Sequence, residues 1–385
     1  MCSSTNRRWP SGRDFRLPVN RARIARIGFI GLGGQVKVSR WIALAGLAAL
    51  VATVSTSAAL GGSSKSSTKA SGYSAALISD IAGFNDNGFN KNQLKGLNEA
   101  AKKVGGTAIS EVSHNTSDYA PNFNAAIRKG AKLVIAAGFL LAGTEATYAK
   151  KFPNVNFAIT DYPVEAPPFA DKKGKVLPQF QHNVEGITYA ANESGCLVGV
   201  LAAKMAKKLG GNTIGAVGGL KIPPVDIWIA GYRYCANKAV PGTKTIVQYS
   251  NDFSAADKCQ TVAENEIGQG AKVLFQVAGG CGLGTLKAAD DAKIWGIGVD
   301  ADEYNDAKRV LTSATKKTDV GVYDTVVAAA GGQFKGGTDL VFNLKNHGVG
   351  VGKINPVVPA SWIKLMNQYR SKIVAGTLKV PSALG

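Results

Sequence analysis

The sequence predicts an α/β protein of two lobes, each built on a parallel sheet flanked by helices. Short, wholly apolar runs alternate with amphipathic stretches at helical spacing, and many of the 46 glycines sit where one gives way to the other. A longer amphipathic stretch, residues 189–209, falls between two such series and marks the passage from one lobe to the next. An apolar run of a few residues reads as a strand buried on both faces, and steady strand–helix alternation implies right-handed crossovers in a parallel sheet.

Residues 73–78 open the first series as a buried strand that ends in the polar Ser79 and Asp80. Leu94, Leu97, Ala100, Ala101 and Val104 then recur along one helical face until Gly105 and Gly106 stop it. The cycle repeats as strand 108–112, helix 119–129, strand 132–136, helix 143–151 and strand 156–161. Beyond 189–209 it resumes with strand 213–217, helix 226–239, strand 243–249, helix 254–269, strand 272–277, helix 283–292 and strand 294–299. The tail adds strand 310–313, helix 323–333, a glycine-rich segment 336–352 and helix 360–376. On this reading residues 73–184 with about 303–342 form the first lobe, and residues 185–302 with about 343–385 the second. A chain of 385 residues with 45% apolar content can bury a core in each.

The formal charge of +19 raises the question of a nucleic-acid partner, and its distribution answers it. Residues 1–59 hold nine Lys or Arg and one acid, so the rest carries 36 bases against 25 acids, a net +11. Only Arg128, Arg233, Arg309 and Arg370 remain there among many scattered lysines. Nucleic-acid readers cluster their cationic side chains in one patch or stripe, so no nucleic-acid partner is expected.

Residues 36–59 have the three parts of a secretory signal: Lys37 and Arg40, an apolar run over 41–54, and small residues up to Ala59. The apolar run is short of the roughly 20 residues a membrane span needs, so cleavage after Ala59 and a location outside the cytoplasm, peripheral to the membrane, are expected. Residues 60–72 read as a serine- and lysine-rich tether, and residues 1–35 as an extension ahead of a true start near Val36 or Val38. In residues 27–34 a glycine-rich turn imitates a dinucleotide site. Val36 stands where its third glycine belongs, and no cofactor is expected.

Cys2 falls in the extension, which leaves Cys196, Cys235, Cys259 and Cys281. An even number in an exported chain favours disulfides, and no spacing among them suggests a metal. Of the three connectivities, Cys196 with Cys235 and Cys259 with Cys281 join neighbours along one lobe.

Parallel sheets bind ligands beyond the carboxyl ends of their strands, so two facing sheets share one cleft. The candidates at those ends are Asp80 and the loop to Phe89, Gly138 and Phe139, Asp161, residues 218–228, residues 279–284, and Asp300. Helix capping is the competing role for Asp80 and Asp300, and plain core packing the competing role for Phe89 and Trp228.

These loops resemble the basic membrane protein family of ABC-transporter binding proteins, whose best-known members are purine-nucleoside receptors. The resemblance rests on SDIAGFNDNGFN (79–90), AGFLLAGTEATYAKKFPNVNFAITDY (137–162), ANESGCLVGVLAA (191–203), VGGLKIPPVDIWIAGY (217–232), QGAKVLFQVAGGCGLG (269–284), GIGVDAD (296–302) and LTSATKKTDVGVYD (311–324), in order over residues 73–381. It implies a type I periplasmic-binding-protein fold, two Rossmann-like lobes joined by a hinge, with an ABC permease as partner. Phe89 and Trp228 then stack on the base, with tryptophan where the family usually has phenylalanine. Asp80, Asn85 and Asp161 hydrogen-bond the ligand, Asp300 and Lys316 hold the ribose, and Gly279, Gly280 and Gly282 form a glycine turn. Two departures stand out. Ala58, Ala59 and Leu60 occupy the place of the family's lipid-anchoring cysteine, and Cys281 replaces a usual threonine.

The function expected is capture of a nucleoside, with a purine as its base, by an extracytoplasmic binding protein rather than an enzyme. A binder of another small polar solute and a ligand sensor for a signalling partner remain open as alternatives. A nucleoside hydrolase is disfavoured, since the three histidines and the carboxylates show neither metal-ligand spacing nor a nucleophile elbow.

Overall fold

The structure is a computed structural model that describes residues 72–384. The signal, nearly all of the tether and the glycine turn of residues 27–34 lie outside the described residues.

In chain order the first half forms β1 (Ser74–Ile78), α1 (Phe89–Val104), β2 (Thr107–Glu111), α2 (Tyr119–Arg128), β3 (Leu133–Ala136), α3 (Ala142–Lys151), β4 (Asn156–Thr160) and β5 (Val184–Tyr189). There follow α4 (Ala191–Lys208), β6 (Thr213–Gly218), α5 (Pro223–Ala239), β7 (Lys244–Tyr249), α6 (Ala256–Gly268), β8 (Val273–Val277), α7 (Gly282–Asp291), β9 (Trp295–Asp300) and β10 (Val310–Lys316). The chain ends with α8 (Thr318–Ala330), β11 (Asp339–Phe342), β12 (Val349–Val351) and α9 (Ala360–Val374).

The strands make two six-stranded sheets of the same design. One runs β11-β5-β4-β3-β1-β2 and the other β12-β10-β9-β8-β6-β7, and β12 alone among the described strands pairs antiparallel, with β10. The inner strands are buried along nearly their whole length, as the four residues of β3 and five of β8 show, because helices cover both faces.

Helix ends follow local chemistry. Asp86 accepts from the backbone amides of Gly88, Asn90 and Lys91 at the start of α1, satisfying donors that the helix itself leaves unpaired. Gly105, at φ +63°, ends α1 in the left-handed conformation that glycine adopts without strain. Pro223 and Pro224 open α5, where a missing amide hydrogen costs nothing.

Sheet membership corrects the lobe boundaries. β5 pairs with β4, so residues 185–189 belong to the first lobe, and the chain leaves it after Tyr189. β10 pairs with β9, so residues 303–316 belong to the second lobe and the return crossing lies between Lys316 and Thr318. A third crossing lies between β11, in the first sheet, and β12, in the second. β5 escapes the apolar-run rule because it carries Glu185 at a buried position, and β11 and β12 are too short to show a period.

The crossing at residues 189–191 leads into α4, which packs its backbone directly on α5. A Cβ on Gly195 would collide with the Trp228 carbonyl oxygen, one on Gly199 with that of Tyr232, and one on Gly231 with that of Asn192. Cys196 and Cys235 join the same two helices as a buried disulfide, and Cys259 and Cys281 join α6 to the turn before α7.

Candidate functional site

β4 and β9 occupy the same place in their sheets, and an aspartate stands at each tip in the left-handed backbone conformation, Asp161 just past β4 at φ +60° and Asp300 as the last residue of β9 at φ +61°. A non-glycine residue held there costs of order 1–3 kcal/mol, which the surrounding fold must offset. Both carboxylates line one cavity between the lobes. Lys316, the last residue of β10, reaches across it, its Nζ 2.6 Å from Asp161 Oδ2 and 3.3 Å from Asp300 Oδ1. The Lys316 side chain is only 2% exposed.

Three rings surround the same ammonium. Its Nζ lies 4.6 Å from the Phe89 ring centre, 5.5 Å from that of Tyr189 and 5.5 Å from that of Trp228. Phe89 comes from the first lobe and Trp228 from the second, so the ammonium is flanked by aromatic faces of both. Burial is the largest single influence on Lys316 and opposes its charge, yet Asp161 and Asp300 together outweigh it and hold the ammonium above the ordinary lysine range. Burial raises Asp161 even against the pull of Lys316.

Asp80, just past β1, lines the cavity beside Phe89. Its Oδ1 accepts from the Ala82 amide at 2.9 Å and from Asn90 Nδ2 at 2.8 Å. Burial pushes the carboxyl up to about 7, against the pull of those two hydrogen bonds. Asp86 also lines the cavity, but its oxygens are occupied by the α1 amides and by Asn90 Nδ2, which makes it a capping residue.

The structure thus brings together Asp80, Phe89, Asp161, Trp228, Gly279, Asp300 and Lys316 on one cavity. Three expected residues, Asn85, Gly280 and Gly282, fall outside its lining, and Gly282 instead packs at the start of α7, where a Cβ would collide with Gln276 Oε1. Asn85 is exposed, because the single helical turn Gly83–Asn85 carries it outward, and the inward places at the head of α1 go to Asp86 and Asn90. Gly280 instead meets the opposite lobe, where a methyl on it would lie 3.6 Å from Asp86 Cα. Phe253, between β7 and α6, lines the cavity and was not anticipated. The available signal was its position just past the tip of β7, an edge strand. The Cys259–Cys281 disulfide stands next to this region, since the Cys281 amide donates to the Phe253 carbonyl at 3.0 Å.

Residues 74–383 match the family described as ABC transporter substrate-binding protein PnrA-like. The chain belongs to this family. Among relatives, it is 34% identical over 333 residues to the ABC transporter nucleoside-binding protein BmpA of Lactococcus lactis, covering 80% of this chain and 89% of that one. It is 30% identical over 332 residues to the CD4+ T-cell-stimulating antigen of Listeria monocytogenes, covering 80% and 88%. A solute-binding protein of an ABC transporter system from Aeropyrum pernix shares the fold with a TM-score of 0.71 at 23% identity, covering 81% of this chain and 94% of that one. Membership makes the chain a substrate-binding protein of the ABC-transporter kind, not an enzyme, with the two-lobed type I periplasmic-binding fold.

Proposed function

We propose that this family member captures a nucleoside, with a purine as its base, in the interlobe cavity and delivers it to an ABC permease outside the cytoplasm. The observation that carries the reading is the meeting of Phe89 and Trp228, from opposite lobes, on one cavity with the side chains of Asp80, Asp161 and Asp300.

In this reading the base stacks on Phe89 and Trp228, each ring contributing about 1–3 kcal/mol. Asp161, Asp300 and Lys316 hold the ribose, because carboxylates accept from paired hydroxyls and an ammonium donates to them. Hydrogen bonds to charged groups contribute about 1.5–3 kcal/mol each. Gly279 lets the backbone approach the ligand. Ligand contacts made to both lobes at once favour the closed arrangement, which is the form a permease recognises.

Titration calorimetry of the chain from residue 60 onward with a panel of ribonucleosides and free sugars tests this. Saturable heat with purine nucleosides is expected. Heat with sugars alone would transfer the site to another solute, and no heat with any nucleoside would remove the proposal.

A further inference from the structure

We propose that Asp80 chooses between nucleobases by its protonation, donating a hydrogen bond to a bare ring nitrogen when it carries a proton and accepting one from a ring N–H when it does not. This rests on the nucleoside reading of the cavity and names the base chemistry within it.

The two oxygens of Asp80 have different surroundings. Oδ1 is fixed by two N–H donors, the Ala82 amide and Asn90 Nδ2. Neither donor is able to accept a proton, so a proton on this carboxyl belongs on Oδ2. Among the described residues Oδ2 accepts no hydrogen bond, and Asp80 and Phe89 line the same cavity. A methyl built on Gly138 would be 3.1 Å from Phe89 Cε1 and 3.8 Å from Asp80 Oδ2, so the space kept open by this glycine borders both. A base stacked on Phe89 therefore presents its edge to an oxygen that either accepts or, once protonated, donates.

The groups facing Asp80 favour retention of the proton near neutrality. Asp86 stands in the same loop, and Asp300 faces it from the tip of β9. The buried Tyr119 hydroxyl at the head of α2 is also near. The cavity's ammonium, Lys316, is engaged by Asp161 and Asp300 instead. Burial, with smaller additions from Asp86 and Asp300, outweighs the two N–H donors and brings the carboxyl to about 7. Both forms are then populated within an ordinary pH range, and the carboxyl remains hydrogen-bonded to Ala82 and Asn90 in each.

Two ribosides separate the forms. Inosine offers N1–H, a donor, on its six-membered edge, whereas purine riboside offers only bare ring nitrogens there. A mismatched edge leaves a buried donor or acceptor unpaired, a difference of roughly tenfold in affinity. Dissociation constants for both ligands should be measured by calorimetry from pH 5.5 to 8.0. In the wild type the preference for inosine over purine riboside should rise about tenfold across that interval. In Asp80→Asn, whose amide does not titrate, the ratio should stay level, with its melting temperature reporting that the variant is folded. A wild-type ratio that stays constant while both ligands bind overturns the proposal even if the variant fails to fold, and so does an Asp80→Asn ratio that still rises. Failure of both ligands to bind at every pH would instead overturn the nucleoside reading beneath it.

Discussion

Phe89 enters the cavity from the first turn of α1, and its position depends on Asp86, which holds three amides of that turn. Replacing Phe89 by Ala should weaken nucleoside binding about 5- to 150-fold, the equivalent of one lost stacking contact, while Trp228→Phe should keep most of the affinity. Calorimetry on both variants checks this, and an unchanged Phe89→Ala affinity would return that ring to a packing role. Asp86→Ala should lower stability by about 1 kcal/mol through the lost cap and weaken binding indirectly, by loosening the turn that seats Phe89. Denaturant unfolding and titration together separate the two effects. At this scale the sequence showed much of the site, because Asp80, Phe89, Asp161 and Asp300 fall at strand ends or in the loop just past one. The contrast between Asn85 and Asp86 was not legible: adjacent polar residues in one loop differ only in which of them the turn directs inward. The link from Lys316 to Asp161 was hidden too, since it joins two strands of different sheets 155 residues apart.

α4 and α5 touch backbone to backbone through Gly195, Gly199 and Gly231, and α5 carries Trp228. Gly195→Ala would push a methyl into the Trp228 carbonyl and force the helices apart, at about 1–3 kcal/mol as for other overpacked cores. A lower melting temperature and weaker binding should appear together, since one displacement causes both. The Cys196–Cys235 disulfide fastens the same helices and closes a loop of 39 residues. Its removal by the double Cys→Ala change should cost about 4 kcal/mol on the chain-entropy account, and a change under 1 kcal/mol in denaturant unfolding would refute that expectation. Strands recognised from apolar runs, such as β3 and β8, are those covered on both faces. β5 was missed because Glu185 interrupts its pattern, although that carboxyl is buried and raised to about 7, chiefly by desolvation. β12, three residues at the margin of the second sheet, is placed by its partner β10 rather than by its own composition.

Buried carboxyls give the whole molecule a pH dependence. Burial raises Glu266 and Glu303 to about 8, and Asp80 and Glu185 to about 7, all above their ordinary values. The folded chain therefore keeps protons that the unfolded chain releases from about pH 4 upward. Their contribution to stability is fully present below the unfolded values and is lost as pH rises through 7 and 8. Melting temperature should fall steadily from pH 5.5 to 8.5, and Glu266→Gln should flatten the curve, whereas a wild-type maximum at pH 8 would contradict the assignment. The two lobes themselves were readable as two runs of alternation, but their boundaries were not, because each crossing is only a residue or a few long and leaves no compositional mark. Those crossings have a mechanical meaning. Lys316 is the last residue before one of them, whereas the bond from Asn87 Nδ2 to Asp306 Oδ2, 2.7 Å long, spans the halves at an exposed point. In any jaw the parts beside the pivot travel least, so a few degrees of gape that parts Asn87 from Asp306 would barely stretch the ammonium's reach to Asp161.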